Sequence, residues 1–336
     1  MSLQCFSKMS NANLSQTNNT VGLEYVGILG SVLFSIVTTM PCCVFLFING
    51  TMLFTLKSKT VFRETSRYIL LFNLLFADTV QMALSQLLFM LAVCRISLTY
   101  PVCGVPTMLI SLTSQISPLT LVVMSLERCV AVCYPLRHST IITIRNTELA
   151  IIVVWVFNSL NVLTQVILLL DFPFENLESL QMKDFCAIEN MLLGRMSDDY
   201  DKAFTSFLFV SASVVITSSY IGVIIAARSA STDKASALKA RNTLLLHLVQ
   251  LGFSLSSTIH NPLLKAISKL LDKIILVHIQ VVLYVCFIIS PRCLSSLIYG
   301  IRDQTIRPIL LNNLACQRRR SRSLSTKAKI SMRITS

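Results

Sequence analysis

Apolar positions in this chain run in long unbroken blocks rather than in short alternating stretches. No Asp, Glu, Lys or Arg occurs from Tyr25 to Leu56, from Ile96 to Leu126, from Leu149 to Leu170, from Ala203 to Ala227, or from Asn242 to Leu264. Two further blocks hold one charge each: Asp78 lies within Tyr68 to Cys94, and Arg292 within Ile274 to Ile301. Each block exceeds the roughly 20 apolar residues that carry a helix across a bilayer. Hydrocarbon offers the backbone no hydrogen-bond partner, so such blocks must be helices that satisfy their own N–H and C=O groups. The pattern predicts an all-α, seven-transmembrane helix bundle. It divides the chain into an extracellular N-terminal segment (1–24), a membrane domain (25–301), and a cytoplasmic segment (302–336). The last opens on a short amphipathic eighth helix and ends in a basic tail.

Composition agrees. Of 336 residues 54% are hydrophobic and 13% charged, too few charges to cover a soluble surface of this size. The first 24 residues are polar, with no apolar core of their own, so the first span is expected to act as the targeting signal. Basic residues cluster beyond alternate spans: Lys57, Lys59, Arg63 and Arg67, then Arg137 and Arg145, then Arg228, Lys234, Lys239 and Arg241, then Arg318, Arg319, Arg320 and Arg322. The segment between the fourth and fifth spans is acidic, with Asp171, Glu175, Glu178, Asp184, Glu189, Asp198, Asp199 and Asp201. Positive charge stays on the cytoplasmic side, so the N-terminus is expected outside the plasma membrane; Lys265, Lys269 and Lys273 run against the trend. The net charge of +13 is thus a topology signal, with no soluble basic face left for nucleic acid. A tail lying on anionic membrane lipid accounts for the Arg cluster. Asn13 and Asn18 open glycosylation triplets on the outer side.

The chain has 11 cysteines, most of them within or at the inner ends of spans, where a small apolar residue is the plain reading. Cys103 opens the third span on the outer side and Cys186 lies in the acidic loop, both facing an oxidising compartment, so a bond between them is expected. Cys5 and Cys94 also fall outside or nearly so. Cys316, just before the Arg cluster, is a candidate for S-acylation. From Cys103 to Arg128 is roughly 37 Å of helix, enough to cross from outer to inner face.

At that inner end the chain reads Met124-Ser125-Leu126-Glu127-Arg128-Cys129-Val130-Ala131-Val132-Cys133-Tyr134-Pro135-Leu136-Arg137. This resembles the odorant-receptor pattern M-A-x-D-R-x-V-A-I-C-x-P-L-R. Lys239, Ala240, Thr243, His247 and Leu248 are similar to the opening of that family's sixth helix. Asn49, Leu74 to Asp78, Trp155 and Ser219-Tyr220 match in their order along the chain. On these residues the protein resembles rhodopsin-like G-protein-coupled receptors, specifically odorant receptors, and among these the receptors of fish. Two departures stand out. The family's seventh-helix Asn-Pro-x-x-Tyr is here Ser295-Ser296-Leu297-Ile298-Tyr299, without the kinking Pro. The sixth-helix Phe-Tyr-Gly is replaced by Ser254-Leu255-Ser256.

The resemblance implies a heterotrimeric G protein, of the stimulatory olfactory type, on the inner face. Glu127 and Arg128 would pair while the bundle is closed and separate when it opens, with Tyr220 and Tyr299 near enough to bond in the open state. Tyr134 to Arg145 and Arg228 to Arg241 are the expected G-protein contacts. Deep in the bundle, Asp78 has two open arrangements. The family's sodium site would use Ser117 and Ser295, whereas an ion pair with Arg292 would expel the cation. The pair is favoured, because an Arg in hydrocarbon needs a partner. The outer half would hold a small-molecule odorant among Met108, Ser111, Leu112 and Gln115 of the third span, Phe204, Thr205 and Leu208 of the fifth, His260 of the sixth and Tyr284 of the seventh. Ile110 stands where amine receptors carry an acid, so that ammonium anchor is missing. Ile289 stands where a retinal Schiff base would need Lys.

Rival readings are a receptor for a peptide or lipid and, further off, a transporter, which would show internal repeats and broken helices. No nucleophile–base pair or metal-ligand cluster appears in the sequence. Neither an enzyme nor a cofactor is expected.

Overall fold

The computed structural model describes residues 20–94, 96, 98–170, 186 and 195–229. In the C-terminal third it describes 242, 245–246, 248–250, 252–253, 267, 279, 282–290, 292, 306–309 and 312. Five long helices make up most of it: α1 (Thr20–Ser58), α2 (Ser66–Val93), α3 (Tyr100–Cys133), α4 (Ile144–Leu170) and α5 (Arg195–Ser229). All five contain a stretch long and apolar enough to cross a membrane. A six-residue π-helical stretch, Tyr284–Ile289, marks the expected seventh span, and 306–309 are helical where the eighth helix is expected. Its wide turn lies just before Pro291, whose ring and missing N–H disfavour a regular α-turn.

Helix ends follow local chemistry. Pro101 in the first turn of α3 forfeits only an N–H that has no intrahelical partner anyway, and Pro135 stops the same helix one residue past its C-cap Tyr134. The Thr143 hydroxyl accepts the Asn146 N–H at 3.2 Å and caps α4. The charge-free blocks underestimated helix length. α5 begins at Arg195, so Asp198, Asp199 and Asp201, expected in the loop, belong to its first two turns. A charge-free run measures hydrocarbon, whereas a helix continues through the headgroup layer, where acids near its N-terminus are favourable.

α3 is the central helix, packed against α2, α4 and α5, while α1 packs on α2. The inner half is closed by an apolar cluster that includes Met52 and Leu56 of α1, Leu71, Leu74 and Leu75 of α2, Leu121 and Met124 of α3, Ile216 of α5, and Ile306. Large apolar side chains also cover the outside: Leu149, Val153, Val156, Leu160, Leu163 and Ile167 of α4 are all exposed. In water such a surface would aggregate; here it is the lipid face. Polar side chains take the interior instead, among them Asn49, Asn73, Asp78, Gln81, Asn158, Asn161 and Gln165. That inversion is what hydrocarbon demands of a helix bundle.

Candidate functional site

At the inner end of α3, Glu127 is buried and its Oε2 lies 3.2 Å from Arg128 Nε. α3 ends at Cys133, a 3-10 turn follows over Pro135–Arg137, and a helical turn His138–Ile141 folds back beneath the helix. That return places His138 Nε2 3.9 Å from Glu127 Oε1, so each carboxylate oxygen faces a basic side chain. Tyr220 is half-buried on α5. α5 runs close to α3 here: a Cβ at Gly222 would lie 3.4 Å from Cys129 Sγ, so only glycine allows this approach without contact. Cys129 and Cys133 present their sulfurs to each other at 3.7 Å. Tyr299 lies outside the described residues.

Midway, Asp78 is 2% exposed and accepts a hydrogen bond from Ser117 Oγ at 2.5 Å. Arg292 is half-buried. Ser295 is outside the described residues. One turn toward the inner side, Asn73 joins three helices. Its Nδ2 donates to Thr120 Oγ1 at 3.0 Å, and its Oδ1 accepts the Trp155 indole N–H at 2.8 Å. Thr120 passes its own proton to the Ile116 carbonyl at 2.7 Å, so every polar atom of the junction is engaged.

At the outer end, Cys103 and Cys186 are disulfide-bonded, with Cα atoms 5.7 Å apart and both residues buried beside Leu88 and Ile110. Cys94 is disulfide-bonded as well. Among the expected pocket residues, Ser111 and Gln115 are buried, and Met108 and Thr205 are half-buried. Leu208 is 1% exposed. Leu112 packs into the cluster of Ala77, Ile116 and Val154, and Phe204 stacks on Phe157 of α4 with ring centroids 5.6 Å apart. Ser111 belongs to a polar chain. Ser111 Oγ donates to Gln165 Oε1 at 2.9 Å, and Gln165 Nε2 donates to Asp201 Oδ1 at 3.0 Å. Beside it the Tyr200 hydroxyl donates to Asn161 Oδ1 at 3.1 Å. The side chain of Tyr284 and all of His260, Asn13, Asn18 and Cys316 lie outside the described residues.

This geometry leaves a closed, ion-paired inner end and a polar outer end under a disulfide. The sequence family described as "7 transmembrane receptor (rhodopsin family)" matches residues 48–331. The chain belongs to that family. Among its relatives, odorant receptor 131-2 of Danio rerio is 30% identical over 262 residues, covering 78% of this chain and 79% of the relative. Olfactory receptor 4K15 of Homo sapiens is 24% identical over 73% of this chain and 74% of its own length. Olfactory receptor-like protein OLF4 of Canis lupus familiaris is 24% identical over 74% and 80%. The receptor is thus a multi-pass plasma-membrane protein of a signalling family that couples to G proteins, and not an enzyme.

Sequence reasoning missed the receptor's fourth-helix contribution. Asn158, Asn161 and Gln165 are spaced three and four apart, which puts them on one face of α4. Amides at helical spacing inside an apolar block are a signal for a polar interface. His138 gave less warning, because only the turn after Pro135 brings it back to Glu127.

Proposed function

We propose that this receptor is an odorant receptor. It takes a small organic molecule into the outer half of the bundle and passes the signal to a stimulatory G protein of the olfactory type at the Glu127–Arg128 end. The observation that carries the reading is the family match joined to relatives named as odorant or olfactory receptors across about three quarters of the chain. The disulfide at one end of α3 and the ion pair at the other support an N-terminus outside, since structural disulfides persist in the oxidising compartment. On the same orientation Asn13 and Asn18 would be glycosylated outside, and Cys316 and the Arg cluster would meet inner-leaflet lipid. Met108, Ser111, Leu112, Gln115, Phe204, Thr205, Leu208, His260 and Tyr284 are the proposed pocket wall. For Asp78 the ion pair with Arg292 is still preferred to sodium: Ser117 already occupies one of its oxygens, and the other suits a guanidinium.

The test is cyclic AMP in cells expressing the full chain, challenged with an odorant panel and, separately, with peptide and lipid panels. Responses confined to small organic molecules, and lost in Arg128→Ala at equal surface expression, are expected. A response confined to peptides or lipids would move the receptor to another branch of the family.

A further inference from the structure

The acid that an amine-binding receptor needs is absent from α3, where Ile110 takes its place. α5 carries one instead. Its buried side chains fall on a single stripe through Ser197, Leu208, Ala212, Ile216, Ser219 and Val223. Stepping four from Ser197 gives Asp201, so this carboxylate lies on the inward stripe and not on the lipid or solvent face. It is partly buried and receives the Gln165 amide on Oδ1. Among the described residues no basic side chain is paired with it, because the adjacent Lys202 is committed to Asp198 on the outward face. A partly buried carboxylate whose nearest cation, Lys202, is held by Asp198 is only partly compensated, and a cation that docks there recovers part of the cost.

A second observation points to an occupant. Asn161 is one turn deeper on the face of α4 that carries Gln165 and is 3% exposed; its Oδ1 takes the Tyr200 hydroxyl, while its Nδ2 has no hydrogen-bond partner. A buried amide donor without an acceptor is rare in finished interiors. One free acceptor of negative charge on α5 and one free neutral donor on α4, tied to each other's helices through the Gln165–Asp201 and Tyr200–Asn161 hydrogen bonds, describe a ligand.

We propose that Asp201 is the docking point for a protonated amine and that Asn161 donates to an acceptor oxygen of the same small molecule. Gln165, held by Ser111, is the positioning residue that fixes the carboxylate. The ligand class is a small aliphatic or aromatic amine bearing a hydroxyl or carbonyl group. The proposal rests on the outer half being the ligand site.

The experiment uses the purified full-length receptor in lipid nanodiscs and needs no G protein. Thermal stabilisation is titrated with phenethylamine, isoamylamine and ethanolamine, each beside the neutral molecule in which a hydroxyl replaces the amine. Amines should bind at least about tenfold more tightly than their neutral twins, the weight of one desolvated charge pair. Asp201→Asn, which keeps the Gln165 hydrogen bond, should erase that difference. Asn161→Leu should erase only the added preference for oxygen-bearing amines. Equal binding of amines and neutral twins, no binding of any amine, or an undiminished amine preference in Asp201→Asn would overturn the proposal. If Asp201→Asn does not fold, the comparison of twins on the unaltered receptor still decides. Amine binding without an Arg128-dependent cyclic AMP response would keep the site and discard the odorant-signalling reading. Cyclic AMP responses to neutral odorants alone would do the reverse.

Discussion

The two ends of α3 solve the same problem in opposite ways. At the inner end one oxygen of Glu127 is paired with Arg128 at 3.2 Å and the other lies 3.9 Å from the His138 imidazole, above a floor of fully buried leucines on α2. At the outer end Asp201 has one amide, and Asn161 keeps a buried N–H with nothing to give it to. A satisfied ion pair over a packed core favours one arrangement until something competes for a partner. An unsatisfied polar cluster lowers its free energy by accepting a new group. On the proposed reading the inner end sets the resting state and the outer end recognises the ligand. Ligand energy gained outside must then be spent in separating the pair inside.

The largest way to break this comparison is to remove what holds the outer end together. Cys103→Ser or Cys186→Ser opens a loop closed over 83 residues of sequence separation. Loss of about 2–5 kcal/mol is expected, enough to keep most of the receptor from the cell surface, as flow cytometry of an N-terminal tag would record. Normal surface levels and normal thermal stability in both variants would show that packing around Leu88 and Ile110 is sufficient alone.

Next is the junction between the two ends. Asn73→Leu removes the acceptor of the Trp155 indole and the donor to Thr120. Stranding the buried Trp155 N–H costs about 1–3 kcal/mol. The companion Trp155→Phe should partly relieve Asn73→Leu, since the orphaned donor goes with it. Melting of the two single variants and the double variant in detergent measures that coupling. Strict additivity would mean that the three helices are held by shape and not by this amide.

Much of this was legible in the sequence, and for stated reasons. Seven apolar blocks, five of them charge-free and two with a single charge, the Glu127–Arg128 pair at an inner end, and Cys103 with Cys186 outside all follow from what a bilayer and its two compartments permit. The inward stripe of α5 was less legible, because Asp201 was read as loop: the charge-free block opens only at Ala203, after Lys202, whereas the helix begins at Arg195. His138 depends on the direction taken after Pro135, which no periodicity contains.

A smaller effect tests the inner end alone. Glu127→Gln removes the charge that holds Arg128 but preserves shape. A partly exposed ion pair contributes up to about 1 kcal/mol, so basal cyclic AMP should rise by roughly two- to fivefold at equal surface expression. His138→Phe should raise it less, since its 3.9 Å approach to Glu127 is longer than the Arg128 contact. If basal signalling is unmoved in Glu127→Gln, the pair is a resident of the interface and not its latch.

The smallest effects separate close packing from surface charge. Gly222→Ala puts a methyl in ordinary contact with Cys129 Sγ, at 3.4 Å, on the side where α5 approaches α3. Alanine also removes the backbone entropy that glycine loses in a helix, a gain of about 0.5–1 kcal/mol. If the inner end is tightly closed at rest, melting should rise by up to about 1 kcal/mol, while the methyl stiffens the resting contact and lowers the maximal cyclic AMP response. Lys202→Ala, at an exposed pair with Asp198, should leave melting and signalling as they were. Should Lys202→Ala instead alter amine binding as strongly as Asp201→Asn, the acids at the start of α5 act as one diffuse field. The distinction between its inward and outward faces would then fail.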